Sequence, residues 1–545
     1  MPSYLLALLI IGYLGVLFAL GVWADRNATS RWVRNPWVYT LSLAVYCSAW
    51  TYYGSVGIAA TDGVGFLTTY LGPVIALPLW VVVLRRVVIL SHNHQVSSIA
   101  DFISFRYGNN RSVGAIVTVI CVLAVLPYIS LQLKAVSETF EILTDRVGRP
   151  PVLLDNTFWI AVLLAGFAAI FGTRTADASS QRTGLLFTVA IESLLKLTFF
   201  LIIGVYVTFY LFNGPQDIYG RMSALEGFEE LVTFSSLEAS LNWYFMIALS
   251  FFAIFLLPRQ FHVSVVENTS TKHLQRASWA FPAYLLLFNI FVIYIAWAGK
   301  LLLSGELNPD YYTLYLPLGQ GNTLLGFMVF LGGLSSVISM VMISALALST
   351  MISNNLIIPY GLLQRLNDGE SVVNTQIIKN IRRVAIFILI VGAYFIYVNF
   401  NAELSLYSLG LVAFVMIAQL GPAFFIGLFW NRGIAAAAKA GMLFGIAIVF
   451  YTLLLPFTVE VFGSSFQLVN IGPFGIGWLR PGRLFGLNLF EPIPNAFFWS
   501  TLGNTLVYLI VSVVRKGNYR ERNYAEIVVN ASSYTEMEDN AFVWR

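Results

Sequence analysis

Apolar runs of 18 residues or more recur along nearly the whole 545-residue chain, and this repetition constrains the fold more than any other feature. A helix rises about 1.5 Å per residue, so each run is long enough to cross the roughly 30 Å hydrocarbon core of a bilayer. In that medium every backbone N–H and C=O must be satisfied within the protein, which leaves bundled helices as the solution for runs of this length. Composition agrees, at 58% hydrophobic and 11% charged, where soluble domains carry about 25% charged residues. The pattern predicts an all-α polytopic membrane protein of about 13 transmembrane helices.

The expected spans are 3–23, 36–59, 64–90, 112–143, 157–173, 184–212, 241–261, 277–303, 323–358, 378–400, 404–430, 433–456 and 494–515. Several exceed twenty residues, which implies tilt or extension beyond the bilayer. The first opens at Ser3-Tyr4-Leu5-Leu6 without a basic segment ahead of it, and so reads as a retained helix rather than a cleaved signal. An odd count puts the termini on opposite sides. With the N-terminus outside, the cytoplasmic loops hold most of the 31 Lys and Arg residues, among them Arg26, Arg31, Arg34, Arg85, Arg86, Arg106, Arg111, Arg382, Arg383 and Arg515. The outer loop before residue 240 is acidic instead, with Asp217, Glu226, Glu229, Glu230 and Glu238 against Arg221.

The same inventory excludes several functions. A net charge of +4 without a basic block interleaved with aromatics offers no grip on nucleic acid. Cys47 and Cys121 are the only cysteines and both fall in apolar segments, so neither a disulfide framework nor a zinc cluster is available. There is no glycine-rich nucleotide loop and no phospho-acceptor histidine segment, so the chain reads as no enzyme. His262 and His273 fall in a loop where a solvated role is expected.

Chemistry in a membrane bundle sits where a helix is interrupted, because freed backbone groups survive there only beside a cavity. The second span carries Cys47-Ser48-Ala49-Trp50-Thr51-Tyr52-Tyr53-Gly54-Ser55, unusually polar for mid-membrane, and the seventh carries Phe255-Leu256-Leu257-Pro258-Arg259-Gln260. These spans are five apart, as in two five-helix inverted repeats whose broken helices build substrate and ion sites. Small and hydroxyl residues also serve as plain packing in membrane helices. Gly332-Gly333-Leu334-Ser335-Ser336 in the ninth span adds two hydroxyls at one level of a long helix, chemistry that suits a sodium ion.

Intramembrane charges are the second pointer, since an unpaired one costs several kcal/mol. Lys134 and Glu138 stand at i, i+4 in the fourth span, and Glu192 and Lys196 repeat that spacing in the sixth. Both pairs are open to two readings, mutual neutralisation or a part in ion or proton coupling.

Longer motifs carry a resemblance. Ser97-Ser98-Ile99-Ala100-Asp101-Phe102-Ile103-Ser104-Phe105-Arg106-Tyr107-Gly108, Tyr128-Ile129-Ser130-Leu131-Gln132-Leu133-Lys134-Ala135, and Gly421-Pro422-Ala423 through Gly427-Leu428-Phe429-Trp430-Asn431-Arg432 resemble core segments of sodium/solute symporters. Tyr46 to Gly54, Phe171-Gly172-Thr173-Arg174, Leu257-Pro258-Arg259-Gln260-Phe261-His262-Val263 and Phe498-Trp499-Ser500 are similar to the symporter module of CbrA-type bacterial sensor histidine kinases. The resemblance implies a LeuT-like 5+5 inverted-repeat fold over residues 1–516. It makes 517–545 a cytoplasmic tail, with Ala525 to Val529 suiting the start of a STAC-type linker domain and the chain reading as cut at Trp544-Arg545.

Carried over by position, the resemblance implies a sodium site with backbone ligands Ala44, Cys47 and Gly332 and hydroxyl ligands Ser335 and Ser336. A second register would place Ser349 and Thr350 in the hydroxyl roles. Ser179-Ser180 stands where many relatives have a Thr-Asp pair of a second sodium site, which puts that site in doubt. Tyr46, Trp50, Phe251 and Phe255 are the expected substrate-cavity residues. The implied function is uptake or sensing of a small nutrient, an amino acid or short carboxylate, in the bacterial inner membrane. Sodium or a proton is the coupling ion, with no organic cofactor. The implied partners are membrane lipid, the solute, and cytoplasmic kinase domains with a response regulator beyond residue 545. A transport-silent receptor and a stand-alone symporter are the alternatives.

Overall fold

The structure is a computed structural model that describes residues 2–144, 152, 155–172, 182–233, 236–303, 305–360, 375–400, 406–461, 469, 471–487 and 490–530, and it contains no strand among them. In chain order the helices are α1 (Ser3–Arg26), α2 (Pro36–Ser42), α3 (Ser55–Thr61), α4 (Thr68–Leu79), α5 (Arg85–Asn93), α6 (Ile99–Arg106), α7 (Arg111–Thr144), α8 (Asn156–Gly172) and α9 (Thr183–Val205). Then follow α10 (Pro215–Ser223), α11 (Phe228–Val232), α12 (Leu237–Leu256), α13 (Pro258–Phe261), α14 (Thr271–Asn289), α15 (Val292–Leu302), α16 (Tyr312–Gly319) and α17 (Thr323–Met351). The last group is α18 (Thr375–Phe400), α19 (Leu406–Ala418), α20 (Gly427–Phe429), α21 (Ala435–Val449), α22 (Leu455–Val461), α23 (Pro492–Val514) and α24 (Tyr519–Val529).

Ten helical runs among the described residues are long and apolar enough to cross a bilayer, and a pair bent by 62° over Gly63–Leu79 and Val82–Asn93 makes an eleventh. Pro73 and Pro78 inside α4, followed by a wide turn at Trp80–Leu84, supply the cause of that bend. The expected fifth span is the shorter apolar helix α8, and the expected second span is the interrupted pair α2 and α3. Ser179 and Ser180 lie outside the described residues, as does the chain after Asn530. Ala525 to Val529, expected to open a linker domain, form the second half of α24. A capping box explains the helix: Asn518 accepts from the Glu521 backbone N–H while the Glu521 carboxylate reaches back to the Asn518 N–H.

Polarity runs opposite to that of a soluble protein. Leu8, Ile11, Ile75, Val82, Leu163, Ile388, Leu506 and Ile510 are exposed on the outside of the bundle, whereas Ser48, Thr51, Gln132, Glu192, Lys196 and Arg259 are buried at its centre. An apolar belt around a polar interior is the distribution lipid demands.

Close approach of helices rests on small residues. A Cβ on Gly72 of α4 would lie 2.5 Å from the Phe251 amide nitrogen and 2.6 Å from the Ile247 carbonyl of α12, backbone atoms that cannot turn aside. Ser250 of α12 donates to the Thr68 carbonyl at 2.7 Å in the same contact. Gly72→Ala is expected to force α4 from α12 and to cost about 1–3 kcal/mol, read as a lower melting temperature than that of Gly12→Ala, whose Cβ would meet nothing within 4 Å.

Candidate functional site

The second and seventh spans are both interrupted. After α2 the chain tightens into a 3₁₀ turn at Leu43–Tyr46, Cys47 is extended (φ −78°, ψ 98°), and helix resumes through a wide turn at Trp50–Gly54. In the seventh span α12 stops at Leu257 (φ −61°, ψ 127°). Proline disfavours helical geometry in the residue before it and suits the first position of the next helix, so Pro258 both ends α12 and opens α13.

The interruptions satisfy one another. Gln260 Nε2 donates to the Leu43 carbonyl at 3.4 Å, and the Tyr39 hydroxyl to the Ser264 carbonyl at 2.8 Å. From α7, Gln132 Oε1 accepts from the Ala49 N–H at 3.0 Å, and the Tyr128 hydroxyl meets Ser48 Oγ at 2.9 Å. The Tyr46 hydroxyl donates to the Thr69 carbonyl at 2.8 Å.

Two carbonyls at the first break, those of Ala44 and Cys47, face α9. Lys196 Nζ donates to the Ala44 carbonyl at 2.7 Å and to the Cys47 carbonyl at 2.5 Å, with the whole side chain buried. Two of the five expected sodium ligands are thus bound by an ammonium group. The Glu192 carboxylate, one turn away on α9, is buried with no hydrogen-bond partner on either oxygen, so the i, i+4 spacing of this pair does not close into an ion pair. The other pair does close: Lys134 Nζ lies 3.6 Å from Glu138 Oε1 on α7.

Gly332, Ser335 and Ser336 are all buried on α17. Ser335 Oγ donates to the Leu331 carbonyl at 2.7 Å and lies 2.6 Å from the Tyr13 hydroxyl of α1, while Ser336 Oγ donates to the Gly332 carbonyl at 3.1 Å. Gly332 and Gly333 let α17 press against Tyr52 and Tyr53, whose hydroxyls a Cβ at either glycine would strike. In the alternative register Ser349 Oγ donates to Leu346 at 2.9 Å, and the Thr350 hydroxyl is buried without a partner.

Of the expected cavity residues, Trp50 and Tyr46 lie on an aromatic column. Tyr407 of α19 stacks on Trp50 (centroids 5.7 Å apart), Trp50 meets Phe414 edge-on at 5.7 Å, and Phe414 lies against Tyr46 and stacks on Tyr128 at 6.2 Å. Phe251 and Phe255 instead join Phe252 and Phe425 in a separate aromatic cluster. Tyr407 also lines a cleft of about 600 Å³ together with Asp62, Glu226, Glu230, Asn242, Lys300 and Glu491. The cleft lies beside the acidic segment of α10 and α11, and the column leads from its wall into the bundle.

The column ends on Arg259. Its guanidinium carbon lies 4.3 Å from the centroid of the Tyr128 ring, the side chain is 1% exposed, and none of its three nitrogens has a hydrogen-bond partner. Arg259 was visible in the sequence only as part of a motif, and its position two residues past the break at Leu257 did not by itself show that it faces the centre. His262, expected to be solvated, is instead buried, with Nε2 3.2 Å from Glu267 and 3.3 Å from Arg182 Nη1, because the wide turn at His262–Val266 folds it back into the bundle. Two of the motifs quoted above meet: Arg106 Nε donates to the Gly427 carbonyl at 2.5 Å and Nη2 to the Trp430 carbonyl at 2.6 Å, and the Tyr107 hydroxyl donates to Ala423 at 2.8 Å.

This architecture superposes on that of a Na+-coupled sialic acid symporter solved substrate-bound and outward-open, with a TM-score of 0.66 over 94% of this chain and 98% of that one, at 14% identity. The fold is all-α and LeuT-like. In sequence the chain is 24% identical over 464 residues to the uncharacterized symporter YodF of Bacillus subtilis, covering 83% of this chain and 88% of that protein. It is 22% identical over 474 residues to the uncharacterized symporter YhjB of the same organism, covering 83% and 89%. No protein-family model matches the chain.

Two outcomes follow from this geometry. Gln132→Leu strands the Ala49 N–H at the first break, and a buried unpaired donor costs about 1–3 kcal/mol, to be read as a fall in melting temperature that Gln132→Glu largely restores. In the cleft, burial pushes the Glu491 carboxyl up, and Asp62 and Glu238 add repulsion. A carboxyl raised in the folded state binds its proton more tightly there than in the unfolded chain, so its contribution to stability is present below the ordinary carboxylate range and is lost as pH rises through the raised value. Glu491→Gln should therefore flatten the fall in melting temperature between mildly acidic and neutral pH.

Proposed function

We propose that the chain is a cation-coupled solute symporter of the sodium/solute symporter family, working by alternating access around the two interrupted helices. The observation that carries this reading is the pair of breaks five spans apart, bonded to each other and lined by buried polar groups, the arrangement in which such transporters hold solute and ion. The fold shared with a Na+-coupled symporter and the names of the two Bacillus relatives support it. These relatives are symporters by name and this chain spans 88% and 89% of them, which favours transport by this unit over the kinase-input role implied by the CbrA-type resemblance. The two Bacillus relatives support a bacterial cytoplasmic membrane, and the Lys and Arg distribution supports an N-terminus outside.

Two readings of the coupling ion follow. Sodium held by Ala44, Cys47, Gly332, Ser335 and Ser336 is supported by the Na+-coupled structure of the same fold. A proton carried by Lys196 is favoured by the ammonium already seated on the Ala44 and Cys47 carbonyls, since a sodium ion and an ammonium cannot share those two oxygens. Melting of the purified protein in sodium or choline chloride separates them. Under proton coupling the wild type is indifferent to sodium, and Lys196→Ala, with the carbonyls vacated, gains sodium stabilisation of about 1.4 kcal/mol at tenfold excess over the dissociation constant. Sodium stabilisation of the wild type rejects the proton reading.

A further inference from the structure

Resting on the symporter reading, we infer that Arg259 is the receptor for a carboxylate and that the transported solute is a small carboxylate-bearing molecule. A guanidinium presents five donors in a rigid fork matched to a carboxylate, and this one is fully enclosed with every nitrogen free of hydrogen bonds. Among the described residues no carboxylate stands within salt-bridge distance of it. The groups around it are Tyr46, Cys47, Tyr128 and a second cation, Lys196. The ring face of Tyr128 offsets part of the charge but supplies no acceptor for the N–H groups.

A buried cation facing another cation is costly to leave unpaired, and such groups in membrane helices mark substrate or ion routes. The site is built to receive something. Arg259 lies at the inner end of the column that starts at Tyr407 in the cleft wall, and Oε1 of the adjoining residue, Gln260, is also buried without a partner. An anion held by the fork would satisfy the guanidinium, with Gln260 accepting from any N–H or O–H of the solute. The aromatic column favours a compact organic carboxylate over an inorganic anion, because ring faces bury carbon and not hydrated charge.

The test uses the whole chain in proteoliposomes exposed to a mixture of neutral sugars, amines, amino acids and short organic acids, with the internal contents identified by mass spectrometry. In parallel, melting is followed with each acid and with its neutral amide. The expected result is accumulation only of carboxylates, stabilisation by an acid but not by its amide, and loss of both in Arg259→Gln. Apparent affinity should fall by at least about 30-fold when the charged partner is removed. Arg259→Lys keeps the buried charge and lacks the fork, so it should fold like the wild type and still bind more weakly. Accumulation of a solute without a carboxyl group, or equal binding of acid and amide, overturns the assignment and leaves symport standing. Arg259-dependent stabilisation by an acid without any accumulation sinks symport and keeps the carboxylate site. Neither accumulation nor stabilisation rejects both.

Discussion

An interrupted helix in hydrocarbon leaves backbone N–H and C=O groups that water cannot reach, and most of the central architecture can be understood as the satisfaction of those groups at two breaks. At the first, the Ala44 and Cys47 carbonyls take the Lys196 ammonium, the Leu43 carbonyl takes Gln260, and the Ala49 N–H takes Gln132. These partners come from α9, α13 and α7, so one irregular segment ties three other elements to itself. A regular helix in its place would need none of them and would give the bundle no polar centre.

The centre that results is unevenly charged. Lys134 is offset by Glu138 at 3.6 Å, but Lys196 turns away from Glu192 to the carbonyls, and Arg259 stacks on the Tyr128 ring with a second cation, Lys196, nearby. Both pairs stand at i, i+4, so the spacing does not separate them. Lys196 reaches the Ala44 and Cys47 carbonyls of the first break, and charge-assisted bonds to them are roughly twice as strong as neutral ones. The stronger demand sets the rotamer of Lys196.

That contest shows what could be read from the sequence. Ten of the thirteen expected spans and the bent eleventh, the seventh-span break and the buried polar strip from Cys47 to Ser55 were legible because apolar length and Pro258 act locally, whereas the expected second and fifth spans are an interrupted pair and the shorter apolar helix α8. The partner of Lys196 was not, since the spacing pointed to Glu192 and the carbonyls lie some 150 positions away in sequence. Arg259 was quoted within a motif yet passed over as a cavity cation, because one break does not reveal which side of the following turn faces inward. The same holds for His262, whose burial depends on the wide turn after α13, on Glu267 at the end of that turn and on Arg182 from elsewhere in the chain. Long-range motifs were recognisable one by one, but the Arg106 clamp on the carbonyls of Gly427 and Trp430 that joins two of them exists only in three dimensions.

Arg259 and Lys196 lie close enough to repel each other electrostatically, and this links the two halves of the proposed cycle. An anion arriving at Arg259 lowers the positive potential felt at the Ala44 and Cys47 carbonyls, so whatever cation sits there, an ammonium proton or a sodium ion, is held more firmly. Linkage requires the converse: a cation bound at those carbonyls strengthens the hold on the anion by the same factor. A pair of sites that each bind better when the other is filled favours the doubly loaded and doubly empty states over the half-loaded ones, and a symporter has to cross the membrane only in those two states. Two neighbouring cations at a helix break, wasteful as a stability device, are therefore suited to a carrier that moves a cation and an organic anion together.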